Sequence, residues 1–102
     1  MEGGQTMNMI QVKSKMVPIV ELDPETHAVY IRFSNCKVVK TIDDSIGRSI
    51  VTIDIDSRGN VVGVELIGIK KFSISGAVKL LSKRIENIPD LANASICASC
   101  AQ

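Results

Sequence analysis

Two runs rich in β-branched residues, "SIVTIDID" and "VVGVELIGI", flank the short polar stretch "SRGN". Strand side chains alternate between two faces, so such runs around a Gly-containing break specify a hairpin before anything else. The same alternation stands upstream. "HAVYIRFS" sends Val29, Ile31 and Phe33 to one face and Ala28, Tyr30 and Arg32 to the other. "VPIVEL" reads as an earlier strand, with Pro18 holding its start at an edge because proline donates nothing to a ladder. Between them "DPET" is a turn, Pro24 supplying the φ of its second position and Asp23 an acceptor for backbone amides. "SNC" turns the chain again, "KVVKTI" is a further strand and "DDSIGR" a loop.

After Ser73 the period changes. Ile74, Val78, Leu81, Ile85 and Ile88 recur at helical spacing, while Lys79, Lys83 and Glu86 point elsewhere. Ser73 or Ser75 can cap the start of this helix, and Pro89 ends it. These elements predict an α+β fold: about five strands in an antiparallel meander, with one C-terminal amphipathic helix packed on one face. Residues 16–89 form the single domain. Residues 1–15 are a flexible N-terminal arm or an extra edge strand, and residues 90–102 a loosely ordered tail.

Composition narrows the function. A chain of 102 residues allows one small core, and with two Phe, one Tyr and no Trp that core is aliphatic. Twelve basic against eleven acidic residues argue against a dedicated nucleic-acid or membrane-surface protein, whose affinity rests on surplus positive charge. No apolar run spans a bilayer and "MEGGQTMNM" lacks signal-peptide character, so the expected location is cytoplasmic. Cys36, Cys97 and Cys100 are too few and too uneven for a disulfide framework.

"DPETHAVYIRFS" followed by "DIDSRGNVVGVELI" resembles an uncharacterised prokaryotic family, domain-of-unknown-function family 2283. Its pattern is a D-P-E-x-D-A-x-Y-I turn and strand, then a D-x-D-x-x-G-x-V-x-G-x-E hairpin. The match covers roughly Val20 to Ile69, with His27 standing where the family usually carries Asp. The resemblance implies no established activity. Some members look like neighbours or partners of small toxins, which implies an interaction role.

The segment Asp54–Glu65 also matches a calcium-loop spacing, with Asp at the first and third positions, Gly at the sixth and Glu at the twelfth. Such a loop needs flanking helices, and here the flanks alternate at period two. Arg58 also occupies the fifth position, where it brings a cation and no acceptor. The segment is therefore expected to be a hairpin. A four-residue loop, Asp56 to Gly59, pairs Ile55 with Asn60, Ile53 with Val62 and Val51 with Val64, gathering Val51, Ile53, Val62 and Val64 on one face. Gly59 then takes a positive φ.

Three function classes follow. The favoured one is a non-enzymatic interaction module, a homodimer or a binder of a small partner protein, antitoxin-like by the resemblance. Its candidate surface is Tyr30, Val61 and Ile67, on the face opposite the apolar set. The second is nucleic-acid binding through a basic helix patch of Lys70, Lys71, Lys79, Lys83 and Arg84, disfavoured by the balanced charge and the absence of interleaved aromatics. The third is a small metal-binding protein or enzyme using His27 with the acidic set Glu25, Asp43, Asp44, Asp54, Asp56 and Glu65. No complete catalytic set is visible, and no cofactor, metal or membrane partner is called for. Cys97 and Cys100 form a C-x-x-C without a second ligand pair and are expected to be a reduced, inert tail.

Overall fold

A computed structural model of the chain describes residues 9–23, 25–45, 50–68, 73–91 and 94–98. Among these residues eight strands and one helix follow in order: β1 (Ile10–Gln11), β2 (Ile19–Asp23), β3 (Ala28–Arg32), β4 (Lys40–Asp43), β5 (Ile50–Ile55), β6 (Val61–Ile67), α1 (Ile74–Leu81), β7 (Ile85–Glu86) and β8 (Ser95–Ala98). Six strands make one mixed sheet in the order β4-β5-β6-β3-β2-β8, and β1 pairs with β7 in a small parallel sheet. The α+β class and its five antiparallel strands are those expected from the sequence.

The strand order is not a simple meander. β3 pairs with β6 rather than β4, so β3 to β6 form a Greek-key arrangement. The path of the chain after β3 explains it. The amides of Phe33 and Ser34 both donate to the Val62 carbonyl, at 2.8 and 3.1 Å, which holds the departing chain against β6. Residues 35–38 then pass around the end of the β5–β6 hairpin, and the Val39 amide binds the Ile55 carbonyl at 2.9 Å on the far side of β5. The strand expected over "KVVKTI" thereby starts only at Lys40 and runs one residue further, to Asp43.

Alternation places Val20, Val29, Ile31, Val51, Ile53, Val64 and Leu66 in one buried cluster, which Phe33, Val12, Ile55, Val61, Ala77, Leu81, Ile85 and Leu91 complete. Each such aliphatic side chain contributes roughly 1.5–3 kcal/mol on leaving water, enough to hold a fold with no disulfide among its described residues. α1 begins where Ser73 Oγ accepts from the Gly76 amide at 3.1 Å. It ends after Leu81, well before Pro89. Ile85 fits helical spacing yet belongs to β7, because pairing with Ile10 buries it equally well. Where the sequence reads a loose tail, Ser95–Ala98 lie parallel to β2 as an edge strand. No helix among the described residues is long and apolar enough to cross a membrane.

Candidate functional site

The face of the sheet away from the core carries the polar residues of the hairpin motif. Tyr30 on β3 stands directly opposite Glu65 on β6, and its ring crosses β6 over Gly63 to donate its hydroxyl to Asp54 Oδ2 on β5 at 2.9 Å. A Cβ at position 63 would run into that ring, so the glycine is required by close approach. Thr41 on β4 donates to the other oxygen of Asp54 at 2.7 Å. One carboxylate thus ties three strands together. Burial first, and then the bond to the ionised Asp54, push the Tyr30 hydroxyl well above the ordinary phenol range. The Arg32 guanidinium lies 5.2 Å from the centre of the Tyr30 ring and 3.6 Å from Glu21, contacts worth little on an open surface.

At the hairpin tip Asp56 is occupied by the backbone. Its Oδ1 accepts from the amides of Arg58 and Asn60, at 2.9 and 3.0 Å, its carbonyl accepts from Gly59, and its amide donates to Asn60. That pattern is a three-residue loop, Ser57–Gly59, with Gly59 at φ +83°, and it corrects the four-residue loop expected from the sequence. A uniform three-residue register would set Asp54 against Val62. A bulge between Asp54 and Ile55 inserts one residue, so Ile55 pairs with Val61 while Asp54 pairs with Gly63, Ile53 with Val64 and Val51 with Leu66. The inserted residue, Val62, supplies the carbonyl that receives the chain leaving β3. The calcium-loop spacing therefore belongs to a hairpin, and among the described residues no cluster of His, Cys, Asp or Glu is arranged to hold a metal ion.

The bulge also corrects the expected interaction surface. Val61 is 1% exposed and packs in the core opposite Ile55, because the extra residue reverses the alternation between it and Gly63. Tyr30 and Ile67 remain on the outer face and border a depression of about 310 Å³ with Glu21, Asp23 and Glu65. Ile67 pairs with Ile50, which is 46% exposed and which sequence reasoning missed.

Three residues of the expected basic helix patch are described. Lys70 and Lys71 lie outside the described residues, Lys79 and Lys83 are exposed, and Arg84 donates to Asp44 at 3.3 Å. His27 is exposed at φ 55°, and its carbonyl receives the Gly68 amide at 3.3 Å. Left-handed backbone is a conformation that Asp and Asn also tolerate. Cys36 is exposed and free, Cys97 stands in the β8 register opposite Glu21, and Cys100 lies outside the described residues.

β4 closes one side of the sheet without a neighbour among the described residues. The Asp44 amide binds the Val51 carbonyl at 2.7 Å. By the alternation of an antiparallel ladder, Ile42 also turns its backbone groups to β5, and Thr41 and Asp43 turn theirs outward. Val38 and Val39, expected within the strand "KVVKTI", precede this edge at 39% and 56% exposure. Ser45 donates both its hydroxyl and its amide to Asp43 Oδ1, at 2.6 and 3.0 Å, and these bonds hold the Asp43 carboxyl below its usual range.

Neither a search of curated proteins nor a search of solved structures finds a match. A scan against protein families matches residues 19–70, the stretch from β2 through the end of β6 that holds the Tyr30–Gly63–Asp54 crossing, the hairpin tip and the β4 edge. By that match the chain belongs to the family described as "Protein of unknown function (DUF2283)".

Proposed function

We propose that this chain is a non-enzymatic interaction module that pairs with a second copy of itself through the open edge of β4. The observation that carries this is the outward row of backbone groups at Thr41 and Asp43, flanked by the exposed Val38 and Val39. An unpaired edge is a template for another strand.

Charge selects the partner and the register. In a two-fold antiparallel pairing centred on Ile42, Thr41 of each copy exchanges hydrogen bonds with Asp43 of the other. Lys40 then faces Asp44 of the second copy, twice over. A register centred on Asp43 would set two carboxylates against each other. β4 is short and carries Lys40, features that discourage indiscriminate pairing. A strand with an acid in the matching place pairs that lysine, and this chain offers one in its own Asp44, which also accepts from Arg84. The antitoxin-like reading keeps the same edge and replaces the second copy with a small toxin-like protein.

Sedimentation equilibrium of the purified full chain tests the proposal. The expected result is a reversible dimer that Lys40→Glu weakens about tenfold or more, since like charges then face each other across the interface. A monomer at every concentration, or a dimer indifferent to Lys40→Glu, would contradict it. Association only with a different small protein would move the reading to that partner.

A further inference from the structure

The crossing from β3 to β4 does more than set the strand order. Where residues 35–38 pass the end of the β5–β6 hairpin, they leave a groove of about 600 Å³ against the loop Ser57–Gly59, closed on another side by Lys13 and Ser14. Three cations line it, each from a separate segment: Lys13 before β2, Lys37 on the crossing and Arg58 at the hairpin tip. Among the described lining residues the one carboxylate, Asp56, already has Oδ1 engaged by two backbone amides. Three positive charges against one negative leave a surplus of two at this groove, while the whole chain carries only +1.

The hydroxyls in the lining are suited to the same kind of ligand. Ser14 Oγ accepts from the Met16 amide at 3.1 Å and Ser34 Oγ from the Cys36 amide at 3.0 Å. Each hydroxyl has thereby used acceptor capacity and retains its own proton for donation. Ammonium, guanidinium and hydroxyl side chains lining one groove suit an oxyanion carrying several charges. Its volume falls within the ~300–1,000 Å³ of small-molecule sites. Among the described residues no aromatic lines it for base stacking, which opposes a nucleic-acid strand.

We propose that this groove binds a small molecule bearing a di- or triphosphate group, held by Lys13, Lys37 and Arg58. Among the described lining residues the groove shares Val39 with the β4 edge, and its three cations lie outside β4. A free diphosphate and the phosphate tail of a nucleotide present the same chemistry, and the test separates them.

Isothermal titration of the full chain with inorganic pyrophosphate, ATP, citrate and a single-stranded oligonucleotide, in separate experiments, reads the proposal. One-to-one binding of pyrophosphate or ATP that falls with ionic strength is expected. Equal affinity would assign recognition to the phosphates alone, and tighter ATP binding would assign a nucleotide. Lys13→Gln, Lys37→Gln and Arg58→Gln should each weaken binding about tenfold, the scale of a lost charge-assisted hydrogen bond. An NMR titration of the unaltered chain with pyrophosphate guards against a variant that misfolds: shifts should centre on the amides of Cys36, Arg58 and Asn60. No binding of either phosphate, tighter binding of citrate or of the oligonucleotide, or shifts centred elsewhere would overturn the proposal.

Discussion

The Tyr30 hydroxyl on β3 reaches Asp54 on β5 across an intervening strand, 2.9 Å from oxygen to oxygen, because Gly63 beneath the ring has no side chain. The distance between sheet neighbours but one is ordinarily about twice ~4.8 Å, a span that a flat-lying tyrosine covers and shorter side chains do not. This crossing fixes the register of β5, β6 and β3 at one point, and Thr41 extends it to β4. The residues that carry the family resemblance are largely the residues of this lock and of the hairpin tip.

Tyr30 should resist ionisation. Burial and the neighbouring Asp54 carboxylate both oppose a phenolate, so the folded chain holds this proton more tightly than the unfolded chain. The stabilisation is fully present below the unfolded value of about 10 and is lost as pH rises through the folded value. Tyr30 is the sole tyrosine, so phenolate absorbance reports it alone. We expect it to titrate only as the chain unfolds at alkaline pH, and Asp54→Asn to bring the midpoint down. Titration of the folded chain near the ordinary phenol value would contradict the geometry.

Gly63→Ala should destabilise the fold by about 1–3 kcal/mol, the range for inserting a carbon into a packed site. Here the carbon must displace the Tyr30 ring or part β6 from it. Urea unfolding measures the loss. Combining Gly63→Ala with Tyr30→Ala should recover part of it, and a double variant with no recovery would show that the ring is not the obstacle.

Asp56→Ala removes the acceptor for two backbone amides at the hairpin tip and should cost about 1–2 kcal/mol. Asp56→Asn keeps an acceptor oxygen and should retain most of that stability. The bonds already made by Asp56 leave it a turn residue, so millimolar calcium should leave the thermal midpoint unchanged. A rise in the midpoint with calcium would restore the ion-binding reading of this spacing.

Much of the sheet was legible because alternation survives at "HAVYIRFS" and "SIVTIDID", where Val29, Ile31, Val51 and Ile53 are buried as their spacing implies. The register of β6 was not legible. A bulge reverses alternation without changing composition, so Val61 was assigned to the outer face although it lies in the core. Gly63, two residues beyond it, was the available signal, since glycine inside a strand often marks a bulge or a close approach. Ile85 satisfied a helix pattern and served a strand, and Lys13, Lys37 and Arg58 meet only through the path of the crossing. Long-range pairing decides such cases, and local periodicity carries no record of it.

The pairing of β4 with itself is tested most directly by a cysteine at its centre. In the proposed register Ile42 faces Ile42 of the second copy as a non-hydrogen-bonded pair, the closer of the two antiparallel arrangements. Ile42→Cys, placed in a chain with Cys36, Cys97 and Cys100 replaced by serine, should form an intermolecular disulfide under mild oxidation, far faster than Lys83→Cys in the same background. Equal rates for the two, or no cross-link at position 42, would show that this edge does not meet its own copy.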